Sequence, residues 1–241
     1  MCNLGNYKTE IIGISAEVAI ADHFNVPVDP RYRKRGNQDI VKLIIPMVEI
    51  IFSNNNIPYP IKHIAVDLNP IDFELKDKKT LSVKTNQKKL GKVAPQIIGQ
   101  PTSETYFTYF KDLINIDIPR SYEEKAHLFK EFTLSKIDRV MEKYWENLFH
   151  CDYLIYFYNF LNMYGDLTGE PQFLVLSKIK SPKWNKKKFS FTQNIKTWNE
   201  SNTVKYDNLA IGEFQVHNNR DNFKFRFNMN NILLLLRDKR L

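Results

Sequence analysis

Apolar positions recur at spacings of three and four through residues Glu10 to Phe24, where Ile11, Ile14, Val18 and Ala21 form one stripe. This spacing predicts a helix, with Thr9 placed to cap it and Pro27 and Pro30 closing it. A second helical pattern covers Gln38 to Phe52, and Pro46 predicts a kink or a late start within it. From Ile61 the period changes to two. Short strands are expected at Ile64 to Asp67, Ile71 to Leu75 and Leu81 to Thr85, the last two joined by the polar turn Lys76 to Lys79.

Further along, helices are expected over Ser103 to Ile114 and Tyr122 to Phe149, the longer one capped by Ser121 with Glu123 and Glu124 in its first turn. Tyr153 to Tyr158 and Phe173 to Leu176 read as strands buried on both faces. A lysine-rich loop runs from Lys178 to Lys188. Strand-like pieces follow at Phe189 to Thr192, Thr203 to Tyr206, Ile211 to His217 and Phe223 to Phe227, and a short helix covers Asn228 to Leu236. No repeat or linker interrupts the series. The pattern predicts one α/β (α+β) domain over residues 1–241, with a central mixed sheet flanked by helices and a C-terminal β-ribbon.

Composition narrows the function. Of 241 residues, 35 are Lys or Arg and 27 are Asp or Glu, a formal charge of +8 that favours a polyanionic partner. Two cysteines, Cys2 and Cys151, are too few for a disulfide framework, and the apolar runs are far shorter than the ~20 residues that span a bilayer. A soluble cytoplasmic protein with no membrane association is expected. Histidine spacing matches no zinc motif, and neither a phosphate-binding glycine loop nor a serine-hydrolase elbow is present.

The chemistry concentrates in Asn69 to Leu75 and Thr80 to Asn86. Alternation places Phe73, Leu75, Leu81 and Val83 on one face of a hairpin and Asp72, Glu74, Ser82 and Lys84 on the other. Two carboxylates and an ammonium so arranged suit a divalent metal and an oriented water. A hard cation neutralises phosphate charge and makes hydroxide accessible near neutral pH, as phosphodiester hydrolysis requires. The same alternation also describes a plain hairpin with one wet face.

Pro70-Ile71-Asp72, nine residues, then Ser82-Val83-Lys84 resembles the PD-(D/E)XK motif of type II restriction endonucleases. The resemblance extends through about the first two-thirds of the chain, and Asp152 to Phe157 is similar to a later sheet strand of that fold. It implies a restriction-endonuclease-like fold with a catalytic core in 1–160 and a DNA-recognition part in 170–241. It also implies Mg2+ held by Asp72, Glu17 and the Val83 carbonyl, with Lys84 as catalytic lysine. Two departures stand out: Ile71 separates the proline from the aspartate, and Ser82 occupies the second acidic position. Glu17, Glu74 and Glu104 are the candidates for the acid that completes the site.

The implied partner is double-stranded DNA, cut by a homodimer, with a companion DNA methyltransferase in the same restriction-modification system. Arg31, Arg33, Lys34 and Arg35, with Lys88, Lys89 and Lys92, are candidates for backbone phosphates. Gln215, His217, Asn218, Asn219 and Arg220 lie at a hairpin whose ribbon suits the major groove. Two other functions fit the same residues: a structure-specific repair or recombination nuclease, and a non-enzymatic DNA-binding protein in which Ser82 marks a dead site.

Overall fold

A computed structural model describes residues 7–65, 69–114, 116–217 and 220–241. In chain order the helices are α1 (Thr9–His23), α2 (Pro30–Arg33), α3 (Gln38–Asn54), α4 (Ser103–Tyr109), α5 (Tyr122–Ser135), α6 (Ile137–Leu148) and α7 (Met229–Arg237). The strands are β1 (Pro60–His63), β2 (Phe73–Leu75), β3 (Thr80–Thr85), β4 (Lys92–Val93), β5 (Tyr153–Tyr158), β6 (Gln172–Ser177), β7 (Phe189–Phe191), β8 (Ser201–Tyr206), β9 (Leu209–Val216) and β10 (Phe223–Asn228). No described helix is long and apolar enough to cross a membrane.

The mixed α/β composition is as expected, but one central sheet is replaced by two. Each has five strands, ordered β1-β2-β3-β5-β6 and β4-β10-β9-β8-β7. The chain also forms two compact units, Met1–Gly91 with Phe149–Ile179 and Lys92–Leu148 with Lys180–Leu241. These breaks at 91/92, 148/149 and 179/180 interleave the units.

In the first unit β2 lies antiparallel to both β1 and β3, whereas β3 and β5 are parallel, with Val83 beside Ile155. Parallel neighbours require a long crossover, here the chain between Thr85 and Tyr153. Phe73, Leu75, Leu81, Val83, Ile155 and Phe157 form one core with α1 and α3. α1 is buried far beyond its stripe: from Ile14 to Ala21 every residue is enclosed, Glu17 included. The Ser15 hydroxyl, 2.6 Å from the Ile11 carbonyl, also accepts the Asn37 N–H at 2.8 Å. Asn37 in turn caps α3 through the N–H groups of Asp39 and Ile40.

α3 runs unbroken across Pro46. An interior proline costs about 3 kcal/mol. Against that, Ile40, Val41, Ile44, Val48, Ile51 and Phe52 are all buried, each contributing roughly 1.5–3 kcal/mol. Burial outweighs the missing hydrogen bond. Thr9 is the first helical residue of α1 rather than its cap, which falls on Lys8 with no side-chain bond. The strand expected at Ile64 to Asp67 has a described neighbour in β1, which ends at His63, and residues 66 and 67 of that stretch lie outside the described residues. β5 is buried on both faces as expected, but β6 is half exposed at the sheet edge.

In the second unit the helix expected from Tyr122 to Phe149 is two helices. Lys136 leaves helical geometry (φ −122°, ψ 28°), and the Phe132 carbonyl accepts both the Lys136 N–H at 2.9 Å and the Ser135 hydroxyl at 3.1 Å, closing the first helix there. Ser121 does cap α5, accepting the Glu124 N–H and donating to its carboxylate. α4 stops at Tyr109 and continues only as a 3-10 turn over Lys111–Leu113. The C-terminal ribbon proves to be the centre of the antiparallel sheet. Its inner face is aromatic: Phe223 stacks on Phe129 at 4.3 Å, and Phe225 lies 4.3 Å from Tyr144. A Cβ at Gly212 would come within 2.7 Å of the Phe225 ring, so only glycine admits this approach.

Candidate active site

The β2–β3 hairpin is short, and its turn places Asp77 and Lys78 at positive φ. Phe73 faces Leu81 and Glu74 faces Thr80, so the register sets Asp72 against Ser82. Asp152, at the entrance to β5, secures the start of β3. Its carboxylate accepts the Thr80 N–H at 2.9 Å, the Thr80 hydroxyl at 3.0 Å and the Lys79 ammonium at 3.0 Å. These bonds hold its carboxyl below the ordinary value despite partial burial.

Asp72 is 4% exposed. Its Oδ2 accepts the Ser82 hydroxyl at 3.1 Å and the Val83 main-chain N–H at 2.6 Å. Burial raises its carboxyl to about 6, opposed by the Lys84 ammonium and reinforced by the Glu17 carboxylate. The two hydrogen bonds pull it down again but do not win. Glu17 and Lys84 therefore both lie within electrostatic reach of Asp72.

Glu17 projects from the enclosed face of α1 and is 7% exposed. Its Oε2 accepts the Tyr32 hydroxyl at 2.7 Å and lies 2.9 Å from His63 Nε2. The His63 ring sits between Tyr32, at 4.9 Å, and Phe73, at 5.1 Å. Burial, then the Glu17 charge, drives the Tyr32 hydroxyl strongly upward, so it stays a neutral donor. Lys84, two residues beyond Ser82 on β3, also acts on Cys151. Burial lifts that thiol to about 11, with the Lys84 charge opposing.

Glu74 is half-buried opposite Thr80, on the Asp72 side of the hairpin. Glu104 is an exposed residue of α4 in the second unit. Of the basic loop, Arg33 is committed to Asp22 through two bonds, at 2.5 and 2.9 Å, and Arg35 pairs with Glu10. Arg31 is 93% exposed at its side chain, with only a long 3.7 Å pairing of its Nε to Asp29. Lys88 and Lys89 are exposed just after β3. In the second unit Gln215 is half-buried on β9, His217 lends its carbonyl to the Tyr122 hydroxyl at 2.6 Å, and Arg220 is exposed. Asn218 and Asn219 lie outside the described residues.

Tyr32, His63 and Cys151 were not singled out from the sequence as site residues. Tyr32 sits among arginines and His63 lacks any motif partner, so only tertiary contact reveals them. The one available signal was the apolar neighbourhood of Glu17 itself.

Among the described residues no three His, Cys, Asp or Glu side chains are grouped to hold a metal ion. The oxygen donors nonetheless suit magnesium, which is commonly bound by one or two carboxylates with waters and substrate phosphate oxygens completing the shell. Two buried carboxylates that repel each other are the electrostatic condition a cation relieves.

In comparisons with known proteins, the type II restriction enzyme CviAII of Paramecium bursaria Chlorella virus 1 is 33% identical over 240 residues. The match covers 98% of this chain and 63% of that protein. No protein-family model matches the chain, and no solved structure matches it.

Proposed function

We propose that this chain is a magnesium-dependent type II restriction endonuclease of the PD-(D/E)XK kind, hydrolysing phosphodiester bonds at a specific sequence in double-stranded DNA. The observation that carries this reading is the electrostatic cluster of buried Asp72, buried Glu17 and Lys84 at the β2–β3 hairpin. The likeness to a restriction enzyme over nearly the whole chain supports it independently.

Asp72, Glu17 and the main-chain carbonyl of Val83 would hold Mg2+. The ion would neutralise phosphate charge and lower the pKa of a water. Tyr32 and His63 keep Glu17 oriented, while Ser82 and the Val83 N–H do the same for Asp72. Ser82 thus serves as a positioning residue where the motif carries an acid, and Glu17 supplies the second carboxylate. Lys84 orients the attacking water and stabilises charge on the pentavalent transition state. In-line attack leaves a 5′-phosphate and a 3′-hydroxyl. The chain works as a cytoplasmic homodimer, so that two sites cut both strands of a symmetric sequence, beside a companion methyltransferase.

Plasmid digestion with Mg2+ tests the reading. Discrete fragments that vanish in Asp72→Ala and Lys84→Ala, with folding intact by circular dichroism, are the expected result. A smear would replace it with a nonspecific nuclease. Binding without cleavage would leave a DNA-binding protein, and cleavage surviving both substitutions would remove the site.

A further inference from the structure

The second sheet has a charged face opposite its phenylalanines. β9 and β10 pair with Gln215 across from Lys224 and Glu213 across from Arg226. On the other edge of β10, Lys92 of β4 stands beside Asn228. Alternation puts all six of these residues on the side away from Phe214, Phe225 and Phe227.

Charge on this face is unbalanced. The Glu213 carboxylate accepts Lys92 Nζ at 2.6 Å and Arg226 Nη2 at 3.1 Å, so one acid serves two cations. Among the described residues Lys224 has no carboxylate within salt-bridge distance. Partial burial lowers its ammonium below the ordinary value, and Arg226, Arg220 and Lys92 push the same way against Glu213 alone. The Arg226 Nε is buried without a hydrogen-bond acceptor. Such a set of donors lacks an anion.

Its layout favours a repeating polyanion over a single ion. Lys224 and Arg226 are two residues apart on one strand, about 7 Å along it. Charges so spaced meet separate phosphates rather than one. Gln215 stands among them with an amide that can address a base edge.

We propose that this face, with Lys92, Lys224 and Arg226 arranged around Glu213, binds the sugar–phosphate backbone of duplex DNA. The proposal takes its polyanion from the nuclease reading above, and it adds a contact surface in the second unit to the site in the first. Glu213 acts as a brake, holding Lys92 and Arg226 in place while cancelling part of their charge.

The test measures binding of the full chain to a fluorescent DNA duplex across a salt series without divalent metal. For Lys224→Gln/Arg226→Gln we expect at least about tenfold weaker binding at low salt and a log–log salt slope shallower by roughly 1.8. Glu213→Gln should act in the opposite sense, tightening binding and steepening the slope, a gain that no folding defect produces. Lys224→Arg, which keeps the charge, should bind with wild-type affinity and slope. Wild-type affinity and slope in the double variant, or weaker binding in Glu213→Gln, would overturn the proposal. Plasmid cleavage by the wild type alongside either of those results would confine the failure to this face. The expected binding changes without any cleavage would instead remove the nuclease reading and leave the face standing.

Discussion

Asp72 accepts the main-chain N–H of Val83 at 2.6 Å. The acid just ahead of β2 is thereby fixed to the residue immediately preceding Lys84 on β3. A displacement of β3 would move the ammonium and release the carboxylate together, so acid and lysine keep a common frame.

Asp72→Asn keeps the side chain's size while removing its charge. Cleavage should fall by at least about a hundredfold, the usual scale for loss of one preorganised electrostatic group. Thermal stability at pH 8 should stay level or rise, because burial opposes the ionised form. A large fall in Tm would show that the charge supports the fold.

Glu17 separates charge from packing. Glu17→Gln retains an acceptor for Tyr32 and His63 and should lose cleavage with little change in stability. Glu17→Ala removes the acceptor for both buried groups and should cost about 1–3 kcal/mol for each group left unsatisfied. Urea unfolding of the two variants, compared with their cleavage rates, checks the difference.

Arg31 and Arg33 are neighbours in sequence with different predicted effects. Arg33 is tied bidentately to Asp22, whereas Arg31 is solvent-exposed with only a 3.7 Å contact to Asp29. Arg31→Ala should weaken DNA binding and leave unfolding unchanged. Arg33→Ala should lower stability by about 0.5–1 kcal/mol, the pair being partly screened by solvent, with a smaller effect on binding. Equal loss of affinity in both would mean that DNA displaces the Asp22 pair.

Asp152 gives a pH signature. Its folded pKa is depressed, so its contribution to stability is fully present above its unfolded value near about 4 and is lost as pH falls through the folded value. The gap in urea midpoint between wild type and Asp152→Asn should therefore be constant from neutral pH to about 5 and close on further acidification. A gap that persists at the lowest pH would assign the effect to hydrogen bonding by the neutral group.

The hairpin was legible because strict alternation from Phe73 to Lys84 leaves one register that buries the apolar side chains, and that register sets Asp72 against Ser82. α1 was legible as a helix but not in its burial. A one-sided stripe understates a helix packed on several sides, and that enclosure is what makes Glu17 unusual. The break at Lys136 is a change of backbone angle at one residue and left no mark on the apolar periodicity. Tyr32 and His63 reach Glu17 from 15 and 46 residues away, contacts that no local pattern encodes. The second sheet escaped notice because each of its strands reads alike, and only pairing tells a two-stranded ribbon from the middle of five strands.

The parallel partnership of β3 with β5 has a consequence for synthesis. Until Tyr153–Tyr158 have left the ribosome, the strand bearing Lys84 is an unzipped sheet margin, although Asp72 and Glu17 were made long before. Asp72 and Glu17 thus wait in an unfinished framework, and under the proposed function the cluster with Lys84 gains its flanking strand only once β5 has emerged.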